Sequence, residues 1–279
     1  MKGITSRMPA AEYFALPGVS ITRLKELKRS PQHYRHQLEH PKQSPSLSLG
    51  TAAHCAVLEP ERFAREFAVW SKRTASGNLA PRNSAAYTAF CEENEGRTII
   101  TEDEYIDAMA MCDAVRSHAA AMMYLETGDP EVTLQWELGG RACKGRVDWL
   151  TRVESEHVLV GLKSARDCRH MIFGTQAARL GYHLQWAWYH DGYEELARVL
   201  PRVVEIVVES APPYAVAVYA IPEDVLLQGR DEYRELIEQL GECERTGVWA
   251  GPHPLEEQLT LPSWAYPHSD ELNDIGLEA

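Results

Sequence analysis

Hydrophobic and polar positions repeat with two different periods along the chain. Before residue 125 the apolar residues recur at helical spacing, first in VSITRLKELK and then in LGTAAHCAVLEPERF. After Pro130 the period changes, and three short apolar runs bounded by turn residues predict strands: EVTLQWEL, GRACKGRVDWL and HVLVGLK. A helix over about Phe173–Ala197 follows, then two strands in PRVVEIVVES and YAVAVYAI, and then a helix over Pro222–Thr246.

Polar residues at the ends of these segments predict where helices begin and stop. Ser20 is expected to cap a first helix that ends before Pro31, because the residue before a proline disfavours helical geometry. Thr101, with Glu104 three residues later, has the pattern of a capping box and predicts a long helix that runs to Leu125.

The order of these elements predicts the fold class. Helices, a three-strand meander, a helix, two strands and a helix indicate an α/β or α+β fold, with a central mixed β-sheet flanked by helices. We expect one domain over residues 1–265, with a helical part at 19–125 and a sheet core at about 131–220. Residues 266–279 form an acidic tail, and the Pro-rich, acidic stretch His253–Ala279 is expected to wrap the surface or to be partly disordered.

The charge balance restricts how the protein could meet nucleic acid. The 279 residues include 28 Lys and Arg against 41 Asp and Glu, which gives a net charge of −13. A negative surface repels DNA, so any DNA contact requires basic residues that are gathered in one groove.

The cysteine pattern and the N-terminus predict a compartment. The six cysteines are widely spaced without a C-x-x-C pair, which favours reduced thiols over a zinc or iron-sulfur site. No run of 18 apolar residues and no signal-peptide pattern occurs, so we expect a cytoplasmic protein without a membrane partner.

Several charged and polar side chains fall at predicted positions that could carry chemistry. In the second strand of the meander, alternation places Lys144, Arg146 and Asp148 on one face and Cys143, Val147 and Trp149 on the other. A solvated face with a ladder of salt bridges would explain the same pattern.

The next strand and two helices supply further candidates. Gly161 and Lys163 point away from the apolar face of Val158, Val160 and Leu162, although an edge-strand lysine that blocks aggregation has the same pattern. His54 lies in a helix of small apolar residues, where a structural histidine is the simpler interpretation. Helical spacing also aligns a stripe that could equally be core: Tyr182, Gln185, Tyr189 and Tyr193.

Together these segments resemble the RecE-type exonucleases (exonuclease VIII), within the RecB-like branch of the PD-(D/E)xK nucleases. The matching stretches keep the family's order over about residues 19–265. They are the S-x-x-x-L-x-x-x-x-x-S-P-x-x-Y pattern from Ser20 to Tyr34, LGTAAHCAVLEPERF, KGRVD, LK followed by Ser164, YHLQWAWYHDGY and LPSWA. The resemblance implies a PD-(D/E)xK, restriction-endonuclease-like core.

The resemblance also implies roles for individual residues. His54, Asp148 and the backbone carbonyl of Leu162 would hold Mg²⁺ or Mn²⁺, and Lys163 would be the catalytic lysine of the D/E-x-K element. Phosphodiester hydrolysis needs hard oxygen ligands, an activated water and a cation near the developing charge. Gln185 and Tyr189 match the Q-x-x-x-Y motif beside the site. The expected DNA-binding set is Lys144, Arg146, Ser164, Tyr182, Gln185 and Tyr189.

One position departs from the family pattern. Gly161 stands where the D/E-x-K element has its acidic residue, so a metal ligand and a negative charge are missing there. Glu131, Glu137 or Asp167 could supply a substitute oxygen, and the spacing does not select among them.

Two functions follow from this pattern. The first is a metal-dependent exonuclease that degrades linear double-stranded DNA from the 5′ end, leaves 3′ overhangs for recombination, and is impaired by Gly161. The resemblance adds a ring-like homo-oligomer, a single-strand annealing recombinase as partner, and a phage or prophage origin in a bacterial cytoplasm. The second is a catalytically inactive nuclease-fold protein that binds DNA ends. A purely structural partner in a phage recombination complex is a third, weaker alternative.

Overall fold

A mixed seven-stranded sheet forms the centre of the fold. The structure is a computed structural model, and it describes residues 2–40, 49–253 and 255–262. The strands of this sheet are β1 Gly3–Thr5, β2 Val19–Ser20, β5 Asp129–Leu138, β6 Arg141–Val153, β7 Glu156–Ala165, β8 Arg202–Glu209 and β9 Val216–Ala220. A separate small sheet pairs β3 Phe67–Trp70 with β4 Thr98–Thr101 in parallel.

Helices cover both faces of this sheet. The helices of the described residues are α1 Ala10–Ala15, α2 Ile21–Leu24, α3 Pro31–Glu39, α4 Leu49–Leu58, α5 Pro60–Glu66, α6 Ala85–Glu93, α7 Glu102–Ser117, α8 Ala119–Leu125, α9 His170–Leu180, α10 Tyr182–Ala197 and α11 Glu223–Thr246. A short 3₁₀ helix at Lys25–Lys28 follows α2.

The large sheet has the strand order β1-β5-β6-β7-β8-β9, and β2 pairs separately with β6. Neighbours are antiparallel except for two parallel pairs, β7 with β8 and β2 with β6. Parallel strands need a long crossover, which α9 and α10 supply between β7 and β8. The predicted fold class, a central mixed sheet flanked by helices, is confirmed.

The free edge of β6 is divided between two partners. Since β5 pairs along one edge of β6 over nearly its whole length, β2 and β7 must share the other edge. β2 pairs with β6 at Cys143 and Lys144, whereas the ladder with β7 covers only 149–153. Residues 145–148 of β6 therefore lie in an interval that neither strand pairs along this edge.

Several predicted helix boundaries differ from the observed ones. The capping box of Thr101 and Glu104 is present, but the helix that it starts ends at Ser117, because His118 interrupts it and then caps α8. Gly181, at φ +65, likewise divides the predicted helix over 173–197. Ser20 occupies the N-cap position of α2 without a side-chain cap bond among the described residues.

The N-terminal segment is tied to the sheet by a buried lysine. Lys144 as a residue is 2% exposed. Its ammonium donates to the carbonyl oxygens of Tyr13, Phe14 and Leu16, at 3.0, 3.4 and 2.6 Å. These three bonds use all three protons of the ammonium. The sequence pattern did not predict this contact.

Two apolar layers fix the position of the sheet between the helices. On one face, α4 and α7 pack Ala52 and Met111 against sheet residues that include Val160. On the other face, α10 and α11 pack Trp188 and Leu240 against residues that include Leu159. Val160 and Leu159 are adjacent in β7, so this strand alternates between the two layers as the sequence predicted.

Other expectations meet the structure in part. All six cysteines are free thiols, and five of them are buried. No helix of residues 2–40, 49–253 or 255–262 combines the length and the apolar character that a bilayer crossing requires. Most of the LPSWA motif and the acidic tail at 266–279 lie outside the described residues.

Candidate active site

Asp148 and Lys163 meet where β6 and β7 separate. The last paired residues of this ladder are Trp149 and Val160. Asp148 directly precedes Trp149 on β6, and Lys163 lies three residues after Val160 on β7. Lys163 Nζ lies 3.2 Å from Asp148 Oδ2, and the backbone N–H of Leu162 donates to the same oxygen at 2.9 Å. The gap between the two strands thus holds a carboxylate against a lysine.

His54 reaches the same carboxylate from α4. Its Nε2 lies 3.4 Å from Asp148 Oδ2, and its Nδ1 lies 3.6 Å from Glu131 Oε1 on β5. Two distant parts of the sequence therefore converge, namely α4 and the consecutive strands β5, β6 and β7. The structure brings together His54, Asp148 and Lys163 as the motifs suggested, and their catalytic roles are taken up as a proposal below.

Glu205 on β8 is the site residue that the sequence analysis missed. It is fully buried, and its Oε1 lies 3.5 Å from Lys163 Nζ. Trp186 Nε1 on α10 donates to Glu205 Oε2, whereas Oε1 has no hydrogen-bond partner among the described residues. The available signal was a single acidic residue inside the apolar strand PRVVEIVVES, since a buried charge needs a partner or a function.

The register of β7 and β8 places Glu205 beside the glycine of the motif. Gly161 is the Cα partner of Glu205 in this parallel pair. A Cβ atom built at Gly161 would lie 2.5 Å from both carboxylate oxygens of Glu205. The carboxylate therefore fills the space that a side chain at position 161 would enter.

Three oxygens surround the ammonium of Lys163. Asp148 Oδ2, the carbonyl oxygen of Leu162 and Glu205 Oε1 lie 3.2, 3.4 and 3.5 Å from Nζ. Two carboxylates and a backbone carbonyl are the hard donors that Mg²⁺ and Mn²⁺ prefer. Because a cation already lies among these donors, and the nitrogen of His54 is adjacent, the donor set fits a divalent metal.

Electrostatics fixes the protonation states of this group. Burial opposes ionisation of Asp148, but Lys163 and then His54 outweigh it and hold the pKa of that carboxyl well below its usual range. Burial likewise lowers the pKa of Lys163, but Asp148 and Glu205 raise it further, so its net shift is upward. Lys163 is therefore a cation at neutral pH and has no lone pair with which to act as a base.

Burial disfavours the ionised forms of the two other acids of the site, Glu205 and Glu131. Burial raises the pKa of Glu205, with Lys163 opposing the shift, and burial also raises the pKa of Glu131, with His54 opposing it. For His54 the net shift is also upward, because burial lowers its pKa but Asp148 and Glu131 together raise it by more. The cluster thus holds more acidic groups than the one lysine can neutralise.

The three substitutes considered for position 161 have different locations. Glu131 lies at the site through His54, and its Oε2 is 2.5 Å from Arg146 Nε. Glu137 instead pairs with Lys2 at 3.7 Å, and Asp167 pairs with Arg169 at 2.5 Å. Of the three, Glu131 is the one whose carboxylate approaches a residue of this cluster, whereas the space beside Gly161 is filled by the carboxylate of Glu205.

The predicted face of β6 is correct in its first half only. Lys144 and Arg146 share a face, since both approach the ring of Tyr13, at 5.0 and 5.6 Å. On the other face Cys143 and Val147 pack in the layer of α10, but Trp149 packs in the layer of α4. The alternation is thus interrupted next to Asp148, where β6 passes from one partner strand to the other.

Three residues of the expected DNA-binding set make other contacts in the structure, and their role in binding DNA stays a prediction. The ammonium of Lys144 donates all three of its protons to backbone carbonyls. Arg146 forms an ion pair with Glu131 and donates to the carbonyl of Met8 at 3.1 Å. Ser164 follows Lys163 on β7, so strand alternation directs its side chain to the opposite face. Arg146 differs from the other two, because its Nε lies 2.5 Å from Glu131 Oε2 but makes no hydrogen bond among the described residues.

The helical stripe does border the site. Gln185 Nε2 donates to the hydroxyl of Tyr189 at 3.2 Å, and Lys163 Nζ lies 5.7 Å from the ring centroid of Tyr182. A small cavity is lined by Asp148, Gly161, Lys163, Gln185, Tyr189 and Glu205, among others. Burial, and then Asp148, raises the pKa of Tyr189 to about 12, so its hydroxyl keeps its proton.

Comparison with protein families identifies the type of domain. Residues 20–253 match the model of a family described as "PDDEXK-like domain of unknown function (DUF3799)". Among the curated proteins, no sequence matches this chain.

Comparison with solved structures supports the same fold. The chain is similar to the crystal structure of a protein from Eubacterium rectale named "Putative exonuclease", with a TM-score of 0.61 and 12% identity over 92% of this chain and 96% of the other. SSO0001 gives a TM-score of 0.36 and 13% identity over 81% of each chain. At 12% identity the first likeness shows the fold alone, and the TM-score of the second is too low to show a common fold.

Proposed function

The chain belongs to the DUF3799 family of PDDEXK-like domains, and on that basis we propose that it is a metal-dependent exodeoxyribonuclease that hydrolyses linear duplex DNA. The observation that carries the proposal is the convergence of His54, Asp148 and Lys163 at the gap between β6 and β7. A carboxylate, a histidine and a charged lysine in one buried cluster suit phosphodiester hydrolysis.

Three groups of this chain would hold a divalent metal: the carboxylate of Asp148, the backbone carbonyl of Leu162 and the ring of His54. A bound Mg²⁺ or Mn²⁺ would supply Lewis acidity and lower the pKa of a water molecule. Asp148 is ionised at neutral pH because its pKa is held low, so it can act as an anionic ligand. The backbone N–H of Leu162 fixes one of its oxygens and so keeps the carboxylate in the gap.

Lys163 acts as a fixed positive charge. Its ammonium is held by Asp148 at the bottom of the gap, where burial strengthens its field. A phosphate that enters the gap acquires negative charge in the transition state, and a nearby ammonium stabilises that charge. Lys163 also donates hydrogen bonds, by which it can orient the attacking water.

Gln185 and Tyr189 provide polar groups beside this charge. The hydrogen bond from Gln185 fixes the hydroxyl of Tyr189, which stays protonated and can donate to a phosphate oxygen. In the proposal these two residues hold the terminal nucleotide next to Lys163, and Tyr182 borders the same place.

The finer parts of the proposal rest on the resemblance to RecE-type exonucleases. They are 5′ to 3′ polarity, 3′ overhangs, a ring-like homo-oligomer, a single-strand annealing partner, and a phage or prophage origin in a bacterial cytoplasm. Several other basic side chains of the protein are paired with acids, as in Lys28 with Glu232 and Arg141 with Glu244. We therefore place the DNA contact close to Lys163 and not along a broad basic surface.

A digestion assay tests the proposed activity. Blunt linear duplex, labelled at either the 5′ or the 3′ end, is incubated with the full chain and Mn²⁺ or Mg²⁺. We expect early release of the 5′ label, retention of the 3′ label, survival of covalently closed circular duplex, and no digestion in EDTA. Persistence of linear duplex with both metals would contradict the proposal, and early release of the 3′ label would contradict its polarity.

Gly161 supports a second candidate, an inactive nuclease-fold protein that binds DNA ends. This candidate predicts that linear duplex is bound and protected, with no metal-dependent loss of either label. It depends on the absence of an acidic side chain at position 161. The same assay, read together with a gel-shift titration of linear against circular duplex, separates the two functions.

A further inference from the structure

Gly161 is not required by its backbone conformation. Its φ lies outside the left-handed region that favours glycine. Its special feature is the space beside it, since a Cβ atom would meet Oε1 and Oε2 of Glu205 at 2.5 Å and Cδ at 2.7 Å. Any larger residue at position 161 would require the carboxylate of Glu205 to move.

Glu205 is held firmly in that space. It lies on β8 between two paired strands, with Gly161 opposite on β7 and Tyr219 opposite on β9. Trp186 Nε1 fixes one carboxylate oxygen from α10. The other oxygen, Oε1, points to Lys163 and has no hydrogen-bond donor among the described residues.

We propose that Glu205 supplies from β8 the metal-binding carboxylate that position 161 lacks, and that Gly161 leaves the space which this relocated acid occupies. The inference deepens the proposed nuclease function and rests on it. It assigns to the metal site Asp148, Glu205 and the carbonyl of Leu162, which are the three oxygens around Lys163 Nζ. The glycine and the glutamate then form one unit across two strands.

A purely structural role for Glu205 would be to neutralise Lys163. Asp148 already does so, from the shorter distance of 3.2 Å against 3.5 Å. A second buried carboxylate adds a desolvation cost, and it leaves Oε1 without a hydrogen bond. A divalent cation would use both negative charges and the free oxygen, whereas a single ammonium does not.

Metal binding by the DNA-free protein tests this assignment. The full chain and its Glu205→Gln variant are titrated with Mn²⁺ in a calorimeter. Gln keeps the shape of the side chain and an oxygen acceptor for Trp186, but removes the charge. We expect Glu205→Gln to bind Mn²⁺ at least about tenfold more weakly. Equal affinity of the two proteins would overturn the assignment.

Glu209→Gln is the matched control. Glu209 lies on the same strand and accepts from the backbone N–H of Cys168 at 3.1 Å, away from Lys163. This variant should bind Mn²⁺ as the parent chain does. Metal-free thermal unfolding of both variants reports whether either change merely damages the fold.

A reciprocal exchange gives a second, independent test. Gly161→Asp alone should weaken Mn²⁺ binding, because its Cβ displaces Glu205, and Glu205→Ala alone should weaken it by loss of the ligand. The double variant Gly161→Asp with Glu205→Ala should recover at least about tenfold of the affinity lost by Glu205→Ala, which is a strong non-additive effect. A double variant that binds no better than Glu205→Ala would overturn the proposal.

These measurements separate the inference from the nuclease proposal. If the parent chain digests linear duplex and Glu205→Gln binds Mn²⁺ equally well, the assignment of Glu205 fails while the nuclease function stands. If the parent chain binds Mn²⁺ through Glu205 but does not digest linear duplex, the nuclease function fails while the assignment stands. Absence of Mn²⁺ binding by the parent chain would overturn both.

Discussion

Two buried carboxylate clusters in this protein differ in how well their charges are matched. On α10, Asp191 accepts from Nε and a terminal nitrogen of Arg230, both at 2.7 Å, and also from the hydroxyl of Tyr233. At the candidate site, Asp148 and Glu205 share the single ammonium of Lys163. The first cluster surrounds one acid with donors, and the second surrounds one cation with acceptors.

The difference favours a structural role for the cluster of Asp191 and a ligand-binding role for the cluster of Lys163. His190, Asp191 and Glu194 have ligand atoms within 4.8 Å of one another, so proximity alone would suggest a metal site on α10. However, the oxygens of Asp191 are occupied by donors of the protein itself, whereas Glu205 Oε1 has none among the described residues. Unsatisfied acceptors distinguish the two clusters better than the types of residue do.

The largest expected effect is that of Asp148→Asn on cleavage. Asn removes the anionic ligand but keeps an oxygen that can accept from Leu162 N–H. Hydrolysis of linear duplex should fall by about 10³-fold, in line with the loss of a preorganised electrostatic contact. Stability should change less than in Asp191→Asn, because Glu205 continues to balance Lys163. Initial rates of digestion measure the effect.

Asp167→Asn is the control for that measurement, since Asp167 pairs with Arg169 at the surface outside the cluster. It should leave the rate unchanged. Digestion by Asp148→Asn at the rate of the parent chain would remove Asp148 from the mechanism.

The next effect is on stability and concerns the other cluster. Asp191→Asn should lower the free energy of unfolding by about 3 kcal/mol, because the partly buried Arg230 loses its closer charged partner and keeps the more distant Glu223, at 3.4 Å. Burial opposes ionisation of Asp191, but Arg230, His190 and Tyr233 hold its pKa well below its usual range. Its contribution is therefore complete above about pH 4 and is lost as the pH falls further. Urea unfolding at pH 7 and pH 3 measures both parts.

In Asp191→Asn the fall in stability between these two pH values should be smaller than in the parent chain, while the digestion rate of the folded protein stays the same. Loss of cleavage at a temperature where the variant is folded would mean that the Asp191 cluster is not merely structural.

The smallest expected effect on cleavage is that of Lys163→Ala. Removing the ammonium should lower the turnover of DNA by about 100-fold, because a positive charge at the phosphate is lost. Mn²⁺ affinity should rise, since the ammonium no longer competes for the oxygens of Asp148, Leu162 and Glu205. Calorimetry and single-turnover digestion separate the two quantities.

Lys28→Ala, which removes only the surface pair with Glu232, is the comparison and should alter neither quantity. Weaker Mn²⁺ binding by Lys163→Ala would show that this lysine positions the metal ligands and does not act as a charge at the phosphate.

Much of the fold followed from local sequence. Strands β5 to β9 and the helices around them agree with their hydrophobic periods, and the capping box at Thr101 is present. The interruptions at His118 and Gly181 escaped prediction, because apolar residues continue through both positions. The short strands β3 and β4 were also missed, since pairing of so few residues depends on the tertiary context.

The candidate site was predictable to the extent that it follows short motifs. His54, Asp148 and Lys163 each lie in a recognisable stretch and are brought together in the structure. Glu205 was not found, because its relation to Gly161 depends on the register of two parallel strands that are separated in sequence by two helices. The contacts of Lys144 were not found for a similar reason, since its partners lie in the distant N-terminal segment.

The pairing of Gly161 with Glu205 bears on how degenerate nucleases are recognised. A search that reads the D/E-x-K spacing along one strand would class this chain as a pseudoenzyme. Under the proposal for Glu205, residues at two facing positions on adjacent parallel strands can place a carboxylate at the same site. The acidic residue can then change strands in evolution while the position of its carboxylate in the site is kept. For such sheets the informative unit is the cross-strand pair, and a glycine in the motif directs attention to the residue opposite.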